Sequence, residues 1–139
     1  METIDIYLEQ YSKTSMKLRN DTFSVIVDRP KEKGGSGEGL MGGQYLLIGI
    51  AGCFCSNLFA AAETRSIKIE GLNVKVTAVI SDDIPKRFTG VSLSVSYAEC
   101  LDENALKKLL IMAERACISI NTVKNGITVN ILNEKLQWT

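Results

Sequence analysis

Apolar and polar residues alternate with period two in "IDIYL" (4–8) and again through "SMKLRNDTFSVIVD" (15–28), as in strands with one buried face. Asn20-Asp21, between Leu18 and Phe23, is a two-residue turn signal, so the chain is expected to open on an antiparallel meander. "RPKEKGGSGEG" after Asp28 mixes proline, charges and glycines without apolar periodicity and reads as a loop. Further on, "LNVKVTAVI" puts Leu72, Val74, Val76, Ala78 and Ile80 on one face, and "VSLSVSY" opposes Val91, Leu93, Val95 and Tyr97 to serines. These predict two half-buried antiparallel strands. Beyond Asp102, a candidate N-cap, Leu106, Leu109, Leu110, Ala113 and Cys117 fall on one helical stripe. Gly126 closes that helical region, and "ITVNIL" supplies a last strand with Ile127, Val129 and Ile131 alternating. Strands, a long helix, two strands, a helix and a strand make an α+β order rather than a repeating βαβ one. A chain of 139 residues is expected to form one domain, 1–139.

The long helix comes from "GGSGEGLMGGQYLLIGIAGCFCSNLFAAAE" (34–63), which carries no charge between Glu38 and Glu63. Gly37, Gly39 and Gly42 spell G-x-G-x-x-G. A dinucleotide loop follows directly on a parallel strand, however, whereas nine residues separate Val27 from Gly37 here. A membrane span has the required length, yet Gln44, Ser56 and Asn57 interrupt the run and no basic clusters flank it. A helix apolar nearly all round also suits the middle of a domain whose sheets cover it, so a buried helix over about residues 43–64 is expected. On that helix Cys55 shares a side with Ile48, Ala51, Leu58, Phe59 and Ala62, which assigns it to packing. Cys53 shares a side with Gly49, Ile50, Ser56, Asn57 and Ala60, a small and polar face that can admit a substrate or another segment closely.

Lysines plus arginines equal aspartates plus glutamates, 16 each, and no long run of one sign occurs, so nucleic acid is not an expected partner. The start, "METIDIYLEQYSK", lacks the basic and apolar regions of a secretory signal, which points to the cytoplasm. Four cysteines there are expected to be free, catalytic or metal-bound rather than bridged. The absence of histidine removes Cys-His catalysis, and the C-x-C and C-x16-C spacings are not a metal-knuckle pattern, so no metal or cofactor is expected. Cys100, just past a strand end, is assigned to packing. Thiol redox chemistry remains, in which a thiolate attacks and a second thiol resolves the oxidised sulfur.

"VDRPKEKGGSGEGLMGGQYLLIGIAGCFCSNLFAAA", followed after two strands by "AERACISINTVKNGITVNIL", resembles the OsmC/Ohr superfamily, the osmotically inducible and organic-hydroperoxide-resistance proteins. The likeness spans most of the chain, and its diagnostic parts are a cysteine amid a glycine- and alanine-rich helix and a second one 64 positions later, Cys53 and Cys117. The resemblance implies an intertwined α+β homodimer, two long central helices lying between antiparallel sheets, with paired sites at the subunit interface. It implies a thiol peroxidase that takes an organic hydroperoxide, Cys53 attacking the O–O bond and Cys117 closing a disulfide, with a dithiol reductant such as a lipoyl group. The alternative is a non-enzymatic homodimer of the same fold that holds an apolar ligand or is purely structural.

Two positions depart from the family pattern. Gly43, followed by Gln44, stands where the peroxidases carry a glutamate paired with a thiolate-stabilising arginine, and Ile118 replaces the proline after the second cysteine. The matching arginine is Arg29 as first choice and Arg19 as second.

Overall fold

The computed structural model describes residues 1–100 and 102–135; residue 101 and the last four of the expected 1–139 domain lie outside the described residues. In chain order the elements are β1 (Leu8–Gln10), β2 (Met16–Leu18), β3 (Ile26–Val27), a 3-10 turn (Lys31–Lys33), α1 (Gly42–Thr64), β4 (Ile69–Glu70), β5 (Asn73–Ile80), β6 (Phe88–Ser96), β7 (Glu99–Cys100), α2 (Glu103–Ala116) and α3 (Ile118–Asn125). They divide into two units, Met1–Ala51 with Lys75–Ser94, and Gly52–Val74 with the chain from Val95 onward.

In the first unit β1, β2 and β3 form the expected antiparallel meander, with Leu8 opposite Leu18 and Met16 opposite Val27. The Asn20 carboxamide oxygen accepts the N–H groups of Thr22 and Phe23, both at 2.8 Å, so the turn is set by a side chain mimicking backbone. β1 begins later than the alternation suggested, and Ile4 and Ile6 are exposed. β5 and β6 pair as a hairpin whose turn is closed by the Ser81 N–H on the Arg87 carbonyl at 2.9 Å.

The glycine loop folds around the chain's own carboxylate. Asp28 is buried; its Oδ1 accepts from the Arg29 N–H at 2.7 Å, and its Oδ2 from the N–H groups of Ser36 and Glu38, both at 3.1 Å. Burial pushes the Asp28 carboxyl up, but the N–H groups of Glu38, Arg29 and Ser36 outweigh it and hold the group below the usual aspartate value. These amides are thus committed to Asp28, which answers the phosphate-loop reading of the same glycines. Gly35 and Gly39 serve close approach: a β-carbon on either would stand 2.0 Å from the carbonyl oxygen of Arg29 or Ile26 respectively. α1 then starts with the Gln44 side chain accepting the Met41 N–H at 2.9 Å, one arm of a capping box.

The second unit buries Phe54, Leu58 and Ala62 of α1, Leu106, Leu109 and Ala113 of α2, then Cys117 and Ile120. Each fully buried leucine contributes about 1.5–3 kcal/mol. The Asp102 carboxylate caps α2 by accepting the Ala105 N–H at 3.0 Å, as expected. A pairing the sequence reading lacked joins β4 to β7, with Ile69 opposite Cys100.

Three expectations are corrected. The single helix up to Gly126 is two: at Cys117 the backbone turns extended (φ −78°, ψ 109°), ending α2 and starting α3. The buried side of α1 runs through Ile50, Phe54, Leu58 and Ala62, while Ile48 and Phe59 are exposed, because a helix apolar all round gives periodicity nothing to choose between. "ITVNIL" forms no strand, and Ile127, Val129, Ile131 and Leu132 are exposed; a strand needs another strand's N–H and C=O groups, and this segment meets none among the described residues. By length and composition alone α1 could cross a membrane, and most of its apolar window is not buried within one chain.

Candidate active site

Cys53 lies in the middle of α1 and Cys117 at the break between α2 and α3, both within the second unit. Local chemistry explains why the break matters. The first N–H groups of any helix have no intrahelical partner. Here α3 starts on Cys117, whose carbonyl accepts the Asn121 N–H at 3.0 Å, so Ile118, Ser119 and Ile120 present free N–H groups beside the two sulfurs. α3 is tied back onto α2 by the Asn121 carboxamide donating to the Arg115 carbonyl at 3.0 Å and by Lys124 on Glu114 at 3.4 Å.

These groups drive the two thiols apart electrostatically. The Ser119 N–H foremost, with the Ser119 hydroxyl, the Cys117 thiol and the Ile118 N–H, faces Cys53 and holds it below the ordinary thiol value against the opposing effect of burial. Cys117 is fully buried, and that burial pushes it up, aided by the neighbouring Cys53 charge and opposed by the N–H groups of Ile120 and Ser119. The arrangement gives one half-exposed sulfur favoured as thiolate beside one buried sulfur favoured as thiol.

Asn57, one turn beyond Cys53, donates from Nδ2 to the Cys53 carbonyl at 2.9 Å and to the Cys53 sulfur at 3.7 Å. On the same side of α1, a β-carbon placed on Gly49 would meet nothing within 4 Å. The face is small, polar and open, as the sequence suggested.

The other expected residues have surroundings of their own. Arg29, in the first unit, is exposed and donates to the Lys33 carbonyl of its own loop at 3.2 Å. Arg19 pairs with Glu9 at 3.5 Å. A β-carbon on Gly43 would stand 3.2 Å from Cζ of Phe88, so a ring occupies the space beside the position of the missing glutamate. Cys55 is half-buried with its thiol pushed up by burial, and Cys100 donates to the Asp102 carbonyl at 3.7 Å. The sequence reading missed Ser119, whose position mattered only once the break at Cys117 was known. Asn57 was noticed on the right face but given no task.

With this geometry in hand, the likenesses to known proteins can be read. The family model for OsmC-like protein matches residues 35–132. No curated protein matches the chain. Among solved structures, an OsmC-like protein from Mycoplasma pneumoniae is 22% identical, with 88% of each chain covered and a TM-score of 0.74. An organic hydroperoxide resistance protein OsmC from Legionella pneumophila is 20% identical over 89% of this chain and 92% of that one, at a TM-score of 0.68. The organic hydroperoxide resistance protein OhrB of Bacillus subtilis is 20% identical over 89% and 93%, at 0.64. These similarities establish the α+β fold of OsmC/Ohr type.

Proposed function

The chain belongs to the OsmC-like protein family, and we propose that it is a thiol-dependent reductase of organic hydroperoxides acting in oxidative-stress defence. The observation that carries the reading is the pairing of a thiolate-favouring Cys53 with a buried Cys117 across the start of α3. The names of two structural relatives, organic hydroperoxide resistance proteins, point to the same substrate class.

The Cys53 thiolate attacks one peroxide oxygen, the O–O bond breaks, and the departing alkoxide takes up a proton to leave as the alcohol. Cys53 is then a sulfenic acid. The Cys117 thiol attacks that sulfur, a disulfide forms and water leaves. An external dithiol, for which a lipoyl group has the right chemistry, restores both thiols and is itself oxidised to a disulfide. Lowering a thiol pKa from ~8.5 to ~6 raises the thiolate fraction at neutral pH roughly thirty-fold while intrinsic nucleophilicity drops roughly ten-fold or more. Most of the rate must therefore come from orienting the peroxide and from donors facing the departing oxygen. Arg29 is the charged residue assigned to assist, the whole chain is read as one domain, and the working form is a homodimer in the cytoplasm.

The test follows loss of cumene hydroperoxide and of hydrogen peroxide with dihydrolipoamide, for the wild type and Cys53→Ser. Consumption of the organic peroxide that vanishes in Cys53→Ser is expected. If the wild type consumes neither peroxide and Cys53 stays unmodified, a non-enzymatic homodimer holding an apolar ligand or serving structure alone takes this reading's place.

A further inference from the structure

We propose that Asn57 is a catalytic residue whose side-chain amide holds the Cys53 sulfur by a neutral hydrogen bond. The inference rests on the peroxidase reading of Cys53 and names a residue that reading does not contain.

Orientation is settled by the backbone. The same Nδ2 that lies 3.7 Å from Cys53 Sγ lies 2.9 Å from the Cys53 carbonyl oxygen. That carbonyl can only accept, so the amide nitrogen and not its oxygen must face it, and an NH2 group has a second proton for the sulfur. Position follows from the helix, since residues four apart stand one above the other on one face, and Asn57 is half-buried there. Ser119 approaches the same sulfur from the start of α3, so the donors identified around it are uncharged. A hydrogen bond to an anion is roughly twice as strong as one between neutral groups, so this donor favours the thiolate. Being uncharged, it does so in a chain whose Gly43 leaves no family glutamate to position an arginine.

The experiment measures iodoacetamide alkylation of Cys53 against pH by peptide mass spectrometry on the reduced full chain, with Cys100 in the same digest as reference. Asn57→Leu keeps the size and removes the donor; Asn57→Asp keeps the shape and adds a like charge. Both should move the Cys53 profile to higher pH, Asn57→Asp further, and lower its alkylation rate at pH 7 by about three- to ten-fold. The Cys100 profile should stay in place. Cumene hydroperoxide consumption should fall in parallel. Unchanged Cys53 profiles in both variants, with circular dichroism confirming the fold, overturn the proposal whether or not peroxide is consumed. A shifted profile without any wild-type consumption sinks the peroxidase reading, and the catalytic role of Asn57 with it. Normal consumption by Asn57→Leu leaves the peroxidase reading standing and removes Asn57 from it.

Discussion

The Cys117 thiol lies beside the Cys53 sulfur, so two residues 64 positions apart in sequence are neighbours before any oxidant arrives. Oxidising Cys53 then places an electrophilic sulfur against a buried thiol. One equivalent of an organic hydroperoxide should convert the pair into a disulfide, detectable by peptide mapping. In Cys117→Ser the reaction should stop at the sulfenic acid, which a dimedone-type probe would label at Cys53. Bridging of Cys53 to Cys55 or Cys100 instead would show that the wrong pair has been assigned.

The opposed shifts of the two thiols predict an order of reactivity. Cys53 is lowered, chiefly by the Ser119 N–H, so its thiolate persists below the ordinary thiol value near 8.5 and is lost only as pH falls through the lowered one. Cys117 is raised by burial and ionises only above that value. Native protein should therefore alkylate at Cys53 at lower pH than at Cys117, and the order should disappear in concentrated urea, where both midpoints return to about 8.5. Equal midpoints in the folded protein would contradict the donor arrangement at the start of α3.

Asp28 gives a separate acid dependence. Its carboxyl is depressed in the folded chain, so its contribution to stability is complete above the unfolded value of about 3.9 and is lost as pH drops through the lower folded value. Asp28→Asn offers one acceptor oxygen where three N–H groups converge, and should loosen the loop. Trypsin should then cut after Lys31 and Lys33 faster than in the wild type. Gly35→Ala should do so too, at a cost of roughly 1–3 kcal/mol, since its β-carbon collides with the Arg29 carbonyl. Unaltered digestion of both variants would mean that the carboxylate does not organise this loop.

How much of this could be read from residues alone follows from where the information sits. The capped start of α2 and its stripe of Leu106, Leu109, Ala113 and Cys117 were legible because a cap and a 3.6-residue period are local. The β5–β6 hairpin was legible for the same reason. The buried face of α1 was not, because Leu46, Ile48 and Phe59 are as apolar as Ile50, Phe54 and Leu58 and only packing distinguishes them. Nor was the break at Cys117, where no proline or glycine marks the change in ψ. Ser119 acquired its place from that break; Cys53 was singled out by its helix face and Cys117 by the family resemblance, whereas the groups around them come only from the backbone.

Gly49 separates what the single chain needs from what the site needs. A β-carbon there meets open space, and alanine in a helix interior is favoured over glycine by up to about 1 kcal/mol. Gly49→Ala should thus leave thermal stability unchanged or slightly raised. The same methyl group stands one turn from Cys53 on the open face, so it should slow consumption of bulky hydroperoxides more than of hydrogen peroxide. An equal effect on both substrates would mean that this face does not admit the peroxide.

The apolar surface left by one chain leads to the last prediction. On α1, Leu46, Ile48 and Phe59 are 48%, 52% and 52% exposed, and past α3 the alternating Ile127, Val129 and Ile131 are 71%, 77% and 92% exposed. Side chains like these each contribute about 1.5–3 kcal/mol when fully buried, and a period-two segment of this kind has a strand's pattern without a strand to pair with among the described residues. A second copy can supply both missing halves, since in a two-fold pair each surface meets its own counterpart. Light scattering at micromolar concentration should therefore give a dimer. Ile127→Asp with Ile131→Asp should weaken it, because charges at this segment's alternating apolar positions resist burial while leaving α1, the loop and both sulfurs unsubstituted. The doubly substituted chain should show more monomer on dilution and a lower unfolding temperature that depends on protein concentration. A wild-type monomer, stable and soluble at the same concentration, would overturn the dimer and leave these exposed residues without an occupant.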